Sequence, residues 1–317
     1  MSIAFVFPGQ GSQAVGMGRA LADHFASARG VFDAVDAALG QKLSAVMWEG
    51  PDAELTLTEN AQPALMAVSM AALAVLKSEH GIDVANTAKF VAGHSLGEYS
   101  ALAASGTFTL ADTARLLKIR GRAMQAATPV GTGAMAALLG LDFATATHIA
   151  VEAAQGDVCQ AANDNSDGQV VISGSKAAVD RACEIAKARG AKRAILLPVS
   201  APFHCALMQP AARAMAEALT AVAMKSPCVP LVANVLAGPV TDPAIIRQKL
   251  VEQVTGTVRW RESVIYMAGQ GVDVFVEIGA GKVLTGLAKK NAPEATAFAV
   301  GTPDDIAAAA IHLKQGS

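Results

Sequence analysis

The chain has 317 residues, 52% of them hydrophobic and 16% charged, with Lys+Arg 25 against Asp+Glu 27 for a net charge of −2. That length suggests two structural units, and the apolar share excludes a disordered chain. The near-neutral charge and 4% aromatic content argue against a nucleic-acid binder, a base-stacking platform or an anionic-membrane binder.

The elements follow in chain order. Ile3–Phe7 (IAFVF) is a continuous apolar run closed by Pro8 and Gly9, which predicts a buried strand of a parallel sheet. Helices are predicted at Met17–Ala26, Ala28–Leu39 and Gln62–Glu79. The longest nearly apolar run, Ala64–Leu76, is too short to span a bilayer and reads as a buried helix. No signal peptide is legible, since the first basic residue is Arg19 and no small-residue cleavage site follows an apolar run. Phe90–Ala92 predicts a second strand, followed by helices at Glu98–Ser105 and Leu110–Ala127. This alternation points to an α/β layer fold with a parallel sheet.

The pattern changes at the breaker cluster Pro129–Gly133. Beyond it come a strand at Ala134–Leu141, a helix at Phe143–Gln155, a strand at Val158–Asn163 and a turn at Asn165–Gly168. A strand at Gln169–Ser173, a helix at Lys176–Arg189 and a strand at Arg193–Leu197 follow. The order βαββαβ is that of a ferredoxin-like unit. It predicts a small domain at 131–198 inserted into a larger one made of 1–130 and 199–317. The α/β pattern resumes with helices at Ala206–Met224, Pro243–Val254 and Ser263–Gln270, and strands at Leu231–Ala233 and Asp273–Ile278.

Cys159, Cys183, Cys205 and Cys228 form no CxxC pair. This disfavours a disulfide framework or a zinc ribbon and predicts reduced thiols, no metal site and a cytoplasmic chain.

Gly93-His94-Ser95-Leu96-Gly97 matches G-x-S-x-G, in which small residues permit a sharp strand-to-helix turn that exposes the serine hydroxyl. The N–H of the residue after the serine, Leu96, can then stabilise an oxyanion. A serine nucleophile needs a base. Of the histidines, His24, His80, His148 and His312 fall in predicted helices or at their ends, and His94 adjoins the serine in a turn that directs it elsewhere. His204, in the loop Ser200–His204 after a strand, is the one placed where such sites collect. A packed structural histidine is the alternative there.

Gly9-x-Gly11-x-x-Ala14 superficially resembles a dinucleotide fingerprint, but no second strand with an acidic end follows it. A glycine-rich loop offering backbone N–H groups, with Gln10 as a second oxyanion donor, is the better reading. Arg120 and Arg122 lie on the helix Leu110–Ala127, where an arginine can hold a carboxylate or simply face solvent.

Taken in order, FVFPGQGSQ (Phe5–Gln13), TENAQPAL (Thr58–Leu65), GHSLGEYSAL (Gly93–Leu102), RGRAMQ (Arg120–Gln125), GTGAMAALLGL (Gly131–Leu141), NDNSDGQVVISG (Asn163–Gly174), LPVSAPFHCALM (Leu197–Met208) and EIGAGKVLTGL (Glu277–Leu287) carry a resemblance over nearly the whole chain. The sequence resembles the bacterial malonyl-CoA:acyl carrier protein transacylases and the related acyltransferase domains of polyketide synthases. The resemblance implies an α/β-hydrolase-like large domain with a ferredoxin-like small one. It implies Ser95 as the acylated nucleophile, His204 as general base and then acid, and the N–H groups of Gln10 and Leu96 as the oxyanion hole. It further implies Arg120 as the binder of the malonyl carboxylate, Phe203 and Met124 as substrate-binding neighbours, and the Gln253 backbone carbonyl as the group that orients the histidine. A bulky residue at Phe203 goes with malonyl rather than methylmalonyl selection in related domains.

The implied donor is malonyl-CoA, with CoA as product and no metal or redox cofactor. The implied acceptor is the phosphopantetheine thiol of an acidic acyl carrier protein, so a basic docking face is expected, with Lys192, Arg193, Lys282, Lys289 and Lys290 as its candidates. With no heptad repeat, a monomer is expected. Three other functions share some of these features. A serine esterase or thioesterase has the elbow but no need for the arginine. A trans-acting acyltransferase would serve a polyketide or malonate decarboxylase carrier. A silent docking protein has no need to keep Ser95, His204 and Arg120 together.

Overall fold

The computed structural model describes residues 1–315. Its strands are β1 (Ile3–Phe7), β2 (Ala88–Gly93), β3 (Gly133–Leu139), β4 (Cys159–Ser166), β5 (Gln169–Ser175), β6 (Arg193–Leu196), β7 (Leu231–Ala233), β8 (Gly238–Val240), β9 (Val274–Ile278) and β10 (Thr296–Val300). They form a 6-stranded sheet in the order β10-β9-β1-β2-β7-β8 and a 4-stranded sheet in the order β4-β5-β3-β6. The larger sheet is parallel except for its β8 edge. The smaller is antiparallel throughout, in the strand order of a ferredoxin-like unit.

Strand β1 explains why its sequence is an unbroken apolar run. Ile3, Phe5 and Phe7 join the core on one face of the sheet. Ala4 and Val6 join the second core with Phe275, Trp260 and Val264. A strand covered on both faces has no solvent side on which to alternate. The helix Thr58–His80 lies in the first core. It is long and apolar enough to cross a membrane, yet 78% of its most apolar window is buried inside this fold. Its start differs from expectation. The expected start is Gln62, but the helix begins at Thr58 and carries Pro63 inside it.

Other boundaries shift for local reasons. The predicted helix Met17–Ala26 is confined to Arg19–His24, because Phe25 adopts an extended backbone before the next helix begins at Ala26. The predicted helix Ala206–Met224 is a short 3-10 turn at Ala206–Met208 and a helix at Gln209–Thr220. Leu43–Glu49, Val283–Asn291 and Pro303–Gln315 are further helices, and β8 and β10 further strands, in segments left unassigned above.

The expected turn at Asn165–Gly168 is the most instructive difference. β4 runs on through Ser166, leaving only Asp167 and Gly168 to turn. Polar residues there look like a loop, but Asn163, Asp164, Asn165 and Ser166 are all buried, because β4 packs against the helices Trp260–Gly269 and Val283–Asn291. The Asp164 carboxylate, 1% exposed, accepts from the Arg261 guanidinium at 2.8 Å. The backbones of Ala162, Asp164 and Val258 exchange hydrogen bonds, and Asn291 Nδ2 donates to the Asn165 carbonyl at 2.8 Å. Polar groups that find such partners tolerate burial.

Removing one partner of a buried pair leaves the other uncompensated, at about 3 kcal/mol. Arg261→Ala strands a buried carboxylate, whereas Asp164→Ala leaves an arginine that solvent reaches. The arginine substitution should therefore lower the urea midpoint more than the aspartate one. Equal or reversed shifts would remove Asp164 from the role of anchor between the sheets.

Candidate active site

The site forms at the C-terminal ends of β1, β2 and β7, where open α/β sheets collect their functional groups. β2 ends at Gly93 and the helix Gly97–Ala104 starts four residues later, so the chain must reverse abruptly. A Cβ on Gly93 would lie 1.9 Å from the Gly97 carbonyl carbon, and one on Gly97 2.2 Å from the Phe7 carbonyl oxygen. Only glycine fits either place. Ser95, between them, is held at φ 53, in the left-handed region. Its side chain is thereby lifted clear of the turn.

His204 is held at φ 58, and the two strained residues meet. Ser95 Oγ lies 2.7 Å from His204 Nε2. His204 Nδ1 lies 2.8 Å from the Gln253 carbonyl oxygen. A carbonyl can only accept, so Nδ1 carries the proton and Nε2 offers its lone pair to the serine. Among the described residues no carboxylate bonds to the ring.

Arg120 is 1% exposed. Its guanidinium donates to Gln62 Oε1 at 2.9 Å, Ser95 Oγ at 3.1 Å and Gln253 Oε1 at 2.8 Å. The Tyr99 ring centroid lies 5.6 Å from its central carbon. Among the described residues no carboxylate comes within ion-pair distance of it, and its Nε has no partner. Lys118, two residues earlier on the helix, shows the contrast, pairing with Glu59 at 3.0 Å. Gly121 explains the close approach, because a Cβ there would lie 2.5 Å from the Thr58 carbonyl oxygen. Arg122 points outward, 65% exposed, to Glu59 at 2.6 Å.

Asn234 was not singled out by sequence, although it stands just past β7 at the functional edge. Its Oδ1 accepts from the Ser95 N–H at 2.8 Å and its Nδ2 donates to the Gly93 carbonyl at 2.7 Å. The Gln253 side chain was missed as well, since only its carbonyl was implied. Its Nε2 donates to the Ser95 carbonyl at 3.0 Å. Gln62 and Glu98 lie inside the matching stretches TENAQPAL and GHSLGEYSAL, which was the available signal.

The remaining residues surround this centre. The Leu96 and Gln10 N–H groups have no acceptor among the described residues. The loop carrying Gln10 abuts the elbow, as a Cβ on Gly9 would lie 2.9 Å from the His94 carbonyl oxygen. Met124 and Phe203 are buried at 1% and 8% exposure, and Gln62 Nε2 lies 3.7 Å from Met124 Sδ. His94 turns away from Ser95 to place Nε2 2.8 Å from Asn165 Oδ1 on β4. Lys192, Arg193, Lys282, Lys289 and Lys290 are all exposed. Lys290 Nζ reaches Gln169 Oε1 at 3.3 Å, and the Lys192 stem lies against Gly140, which neighbours Gly168.

Residues 4–305 match the family model described as acyl transferase domain. The malonyl CoA-acyl carrier protein transacylase of Escherichia coli strain K12 is 48% identical over 306 residues, 96% of this chain and 98% of that protein. The crystal structure of the acyl-carrier-protein-S-malonyltransferase from Bartonella henselae superposes with a TM-score of 0.97 at 57% identity, covering 99% of this chain and 100% of that one. A malonyl-transacylase in complex with its type II PKS acyl-carrier protein superposes with a TM-score of 0.95 at 42% identity, covering 98% and 100%.

Burial first, and the Arg120 charge second, push His204 from an ordinary 6.5 down to about 3. The imidazole is therefore neutral and ready as a base at neutral pH. The unfolded chain takes up this proton near the ordinary value, and the folded chain refuses it until far lower. Stability from this group is thus full above the ordinary value and is lost as pH falls toward the folded one. Burial pushes Glu98 the other way, up to about 7, so its contribution grows as pH falls and partly offsets that of His204. Comparison with His204→Gln isolates the histidine. Between about pH 6 and pH 4 the wild type should lose stability faster than the variant, by up to ~1.4 kcal/mol per pH unit. Urea titrations that stay parallel would show that His204 is not held neutral.

Proposed function

The chain belongs to the acyl transferase domain family, and from that premise we propose that it moves a malonyl group from malonyl-CoA to the phosphopantetheine thiol of an acyl carrier protein, through an ester on Ser95. The observation that carries this reading is Arg120, a buried cation beside the nucleophile whose hydrogen-bond acceptors are all uncharged. A buried guanidinium without a counter-ion is costly. The free carboxylate of a malonyl group supplies the missing charge and a bidentate partner. A plain esterase has no use for such a group.

The chemistry runs in two halves. Ser95 Oγ attacks the thioester carbonyl while its proton passes to His204 Nε2. The Gln10 and Leu96 N–H groups receive the negative oxygen. Collapse breaks the C–S bond, and CoA leaves with the proton from His204. The carrier thiol then gives its proton to His204, attacks the Ser95 ester, and the serine recovers the proton as it departs. Arg120 takes part a second way. A bound carboxylate neutralises the charge that depresses His204, so the right substrate strengthens the base that acts on it. No metal or redox cofactor enters these steps.

The same reading places the chain in the cytoplasm as a monomer that supplies fatty acid elongation. The similarity to a malonyl-transacylase in complex with a type II PKS acyl-carrier protein favours, as a second reading, a polyketide carrier served by identical chemistry. Phe203 beside the base supports malonyl over methylmalonyl, and equal rates with the two thioesters would contradict that choice.

Intact mass spectrometry with malonyl-CoA should show a malonyl adduct that Ser95→Ala abolishes and that moves to added carrier protein. Arg120→Ala should lower kcat/KM for malonyl-CoA about 100-fold, the worth of two charge-assisted hydrogen bonds, with little effect on acetyl-CoA. Release of free malonate without transfer would instead identify a hydrolase.

Docking of an acidic carrier on the basic residues gives a separate expectation. The double variant Lys289→Glu, Lys290→Glu should slow transfer to carrier protein about 10-fold at low salt while self-malonylation is unchanged. Unchanged transfer would remove these lysines from the docking face.

A further inference from the structure

Beneath Ser95, Arg120 and His204 lies one carboxylate that the reaction does not use. Glu98 is 1% exposed. Its Oε2 accepts from the Asn234 backbone N–H at 3.0 Å and from Gln253 Nε2 at 3.0 Å. Its Oε1 has no partner among the described residues. Those two donors belong to the residues that hold the site together. Asn234 fixes both sides of the serine turn. Gln253 reaches Arg120 with its Oε1, the Ser95 carbonyl with its Nε2 and His204 with its backbone carbonyl.

A side-chain amide can be turned end for end at little cost in shape, so its direction depends on what it faces. On one side Gln253 faces the Arg120 NH2, which can only donate. On the other its Nε2 faces Glu98 Oε2 and the Ser95 carbonyl, each at 3.0 Å, and Asn234 Oδ1 at 3.3 Å, all acceptors, of which Glu98 carries the carboxylate. A reversed amide would set donor against donor at the arginine and carbonyl against carboxylate at Glu98. Both contacts are buried, where such mismatches are expensive.

We propose that Glu98 is a positioning residue: its Oε2 holds the Gln253 amide in the orientation that aims Arg120, and so makes a free carboxylate on the acyl group a requirement for efficient acylation. This rests on the malonyl-transfer reading above and extends it to the origin of acyl-group selectivity. Because burial pushes the Glu98 carboxyl up to about 7, its value lies in the acceptor oxygen, and an amide of the same shape can replace it.

The test compares acylation of Ser95 by malonyl-CoA and acetyl-CoA in wild type, Glu98→Gln, Glu98→Leu and Glu98→Asp, with a thermal melt of each. Glu98→Leu should raise KM for malonyl-CoA about 10-fold and shrink the malonyl-to-acetyl kcat/KM ratio by a similar factor. Glu98→Gln should keep that ratio within about 3-fold of wild type. Should the leucine variant not fold, Glu98→Asp serves in its place, because it keeps the charge but withdraws the oxygen and should lose selectivity likewise. An unchanged ratio in the variants lacking the contact overturns the proposal. So does an equal loss with both donors, which marks a merely structural residue, or a glutamine variant as damaged as the leucine one. A wild type that does not prefer malonyl-CoA at all fails the underlying reading, and the proposal with it.

Discussion

The arrangement of the site depends on keeping one guanidinium out of water. Removing a charge from solvent is costly unless hydrogen bonds or an opposite charge replace hydration. Arg120 receives the first in the free protein, from Gln62, Ser95 and Gln253, and a π face from Tyr99. Among the described residues no ion pair supplies the second, and Glu98, its carboxyl pushed up to about 7 by burial, acts on it only from beyond ion-pair distance. Lys118 on the same helix has both, with Glu59, Asn60 and Gln41 around it. The lysine is thus an internal tie, and the arginine is left to complete its coordination from outside.

Around that charge the polar groups form a connected set with few redundancies. Gln253 contributes three functions from one residue, because its carbonyl fixes the imidazole tautomer while its amide bridges the nucleophile turn and the arginine. Such buried networks are stable only when nearly every member is satisfied. The smaller sheet extends the set outward. His94 adjoins Ser95 and bonds to Asn165, whose carbonyl is in turn tied to Asn291. The nucleophile turn is therefore joined to both sheets.

Much of this was legible in the sequence, for reasons that differ between elements. β1 and β2 are apolar runs next to glycines, and such runs followed by G-x-S-x-G have few other interpretations. Ser95, Leu96 and Gln10 were named from glycine-bracketed motifs, His204 and Arg120 were left open until the family resemblance settled on them, Gln253 came from that resemblance alone, and the fold brings Ser95, His204, Arg120 and Gln253 into direct contact. What sequence did not yield was set by long-range partners. Asn165 and Ser166 looked like part of a turn because the polarity of Asn165 is answered by His94 and Asn291, 71 and 126 positions away, which local patterning cannot register. Asn234 and Glu98 act through bonds to each other's segments; Asn234 carries no local signature, and Glu98, although inside GHSLGEYSAL, has nothing local that marks it as buried. The left-handed backbone at His204 was equally hidden, since histidine is not a residue that announces such a turn.

That backbone has an effect on how the protein can change. Ser95 and His204 each occupy a conformation that costs a side-chain-bearing residue on the order of 1 kcal/mol and that glycine accepts freely. The two positions most needed for chemistry are thus strained, and glycine would relieve the backbone only by removing side chains that Arg120 and the Gln253 carbonyl bond to. Neither strain can be relaxed alone, because a glycine at either place frees one backbone and leaves buried partners of the lost side chain unpaired.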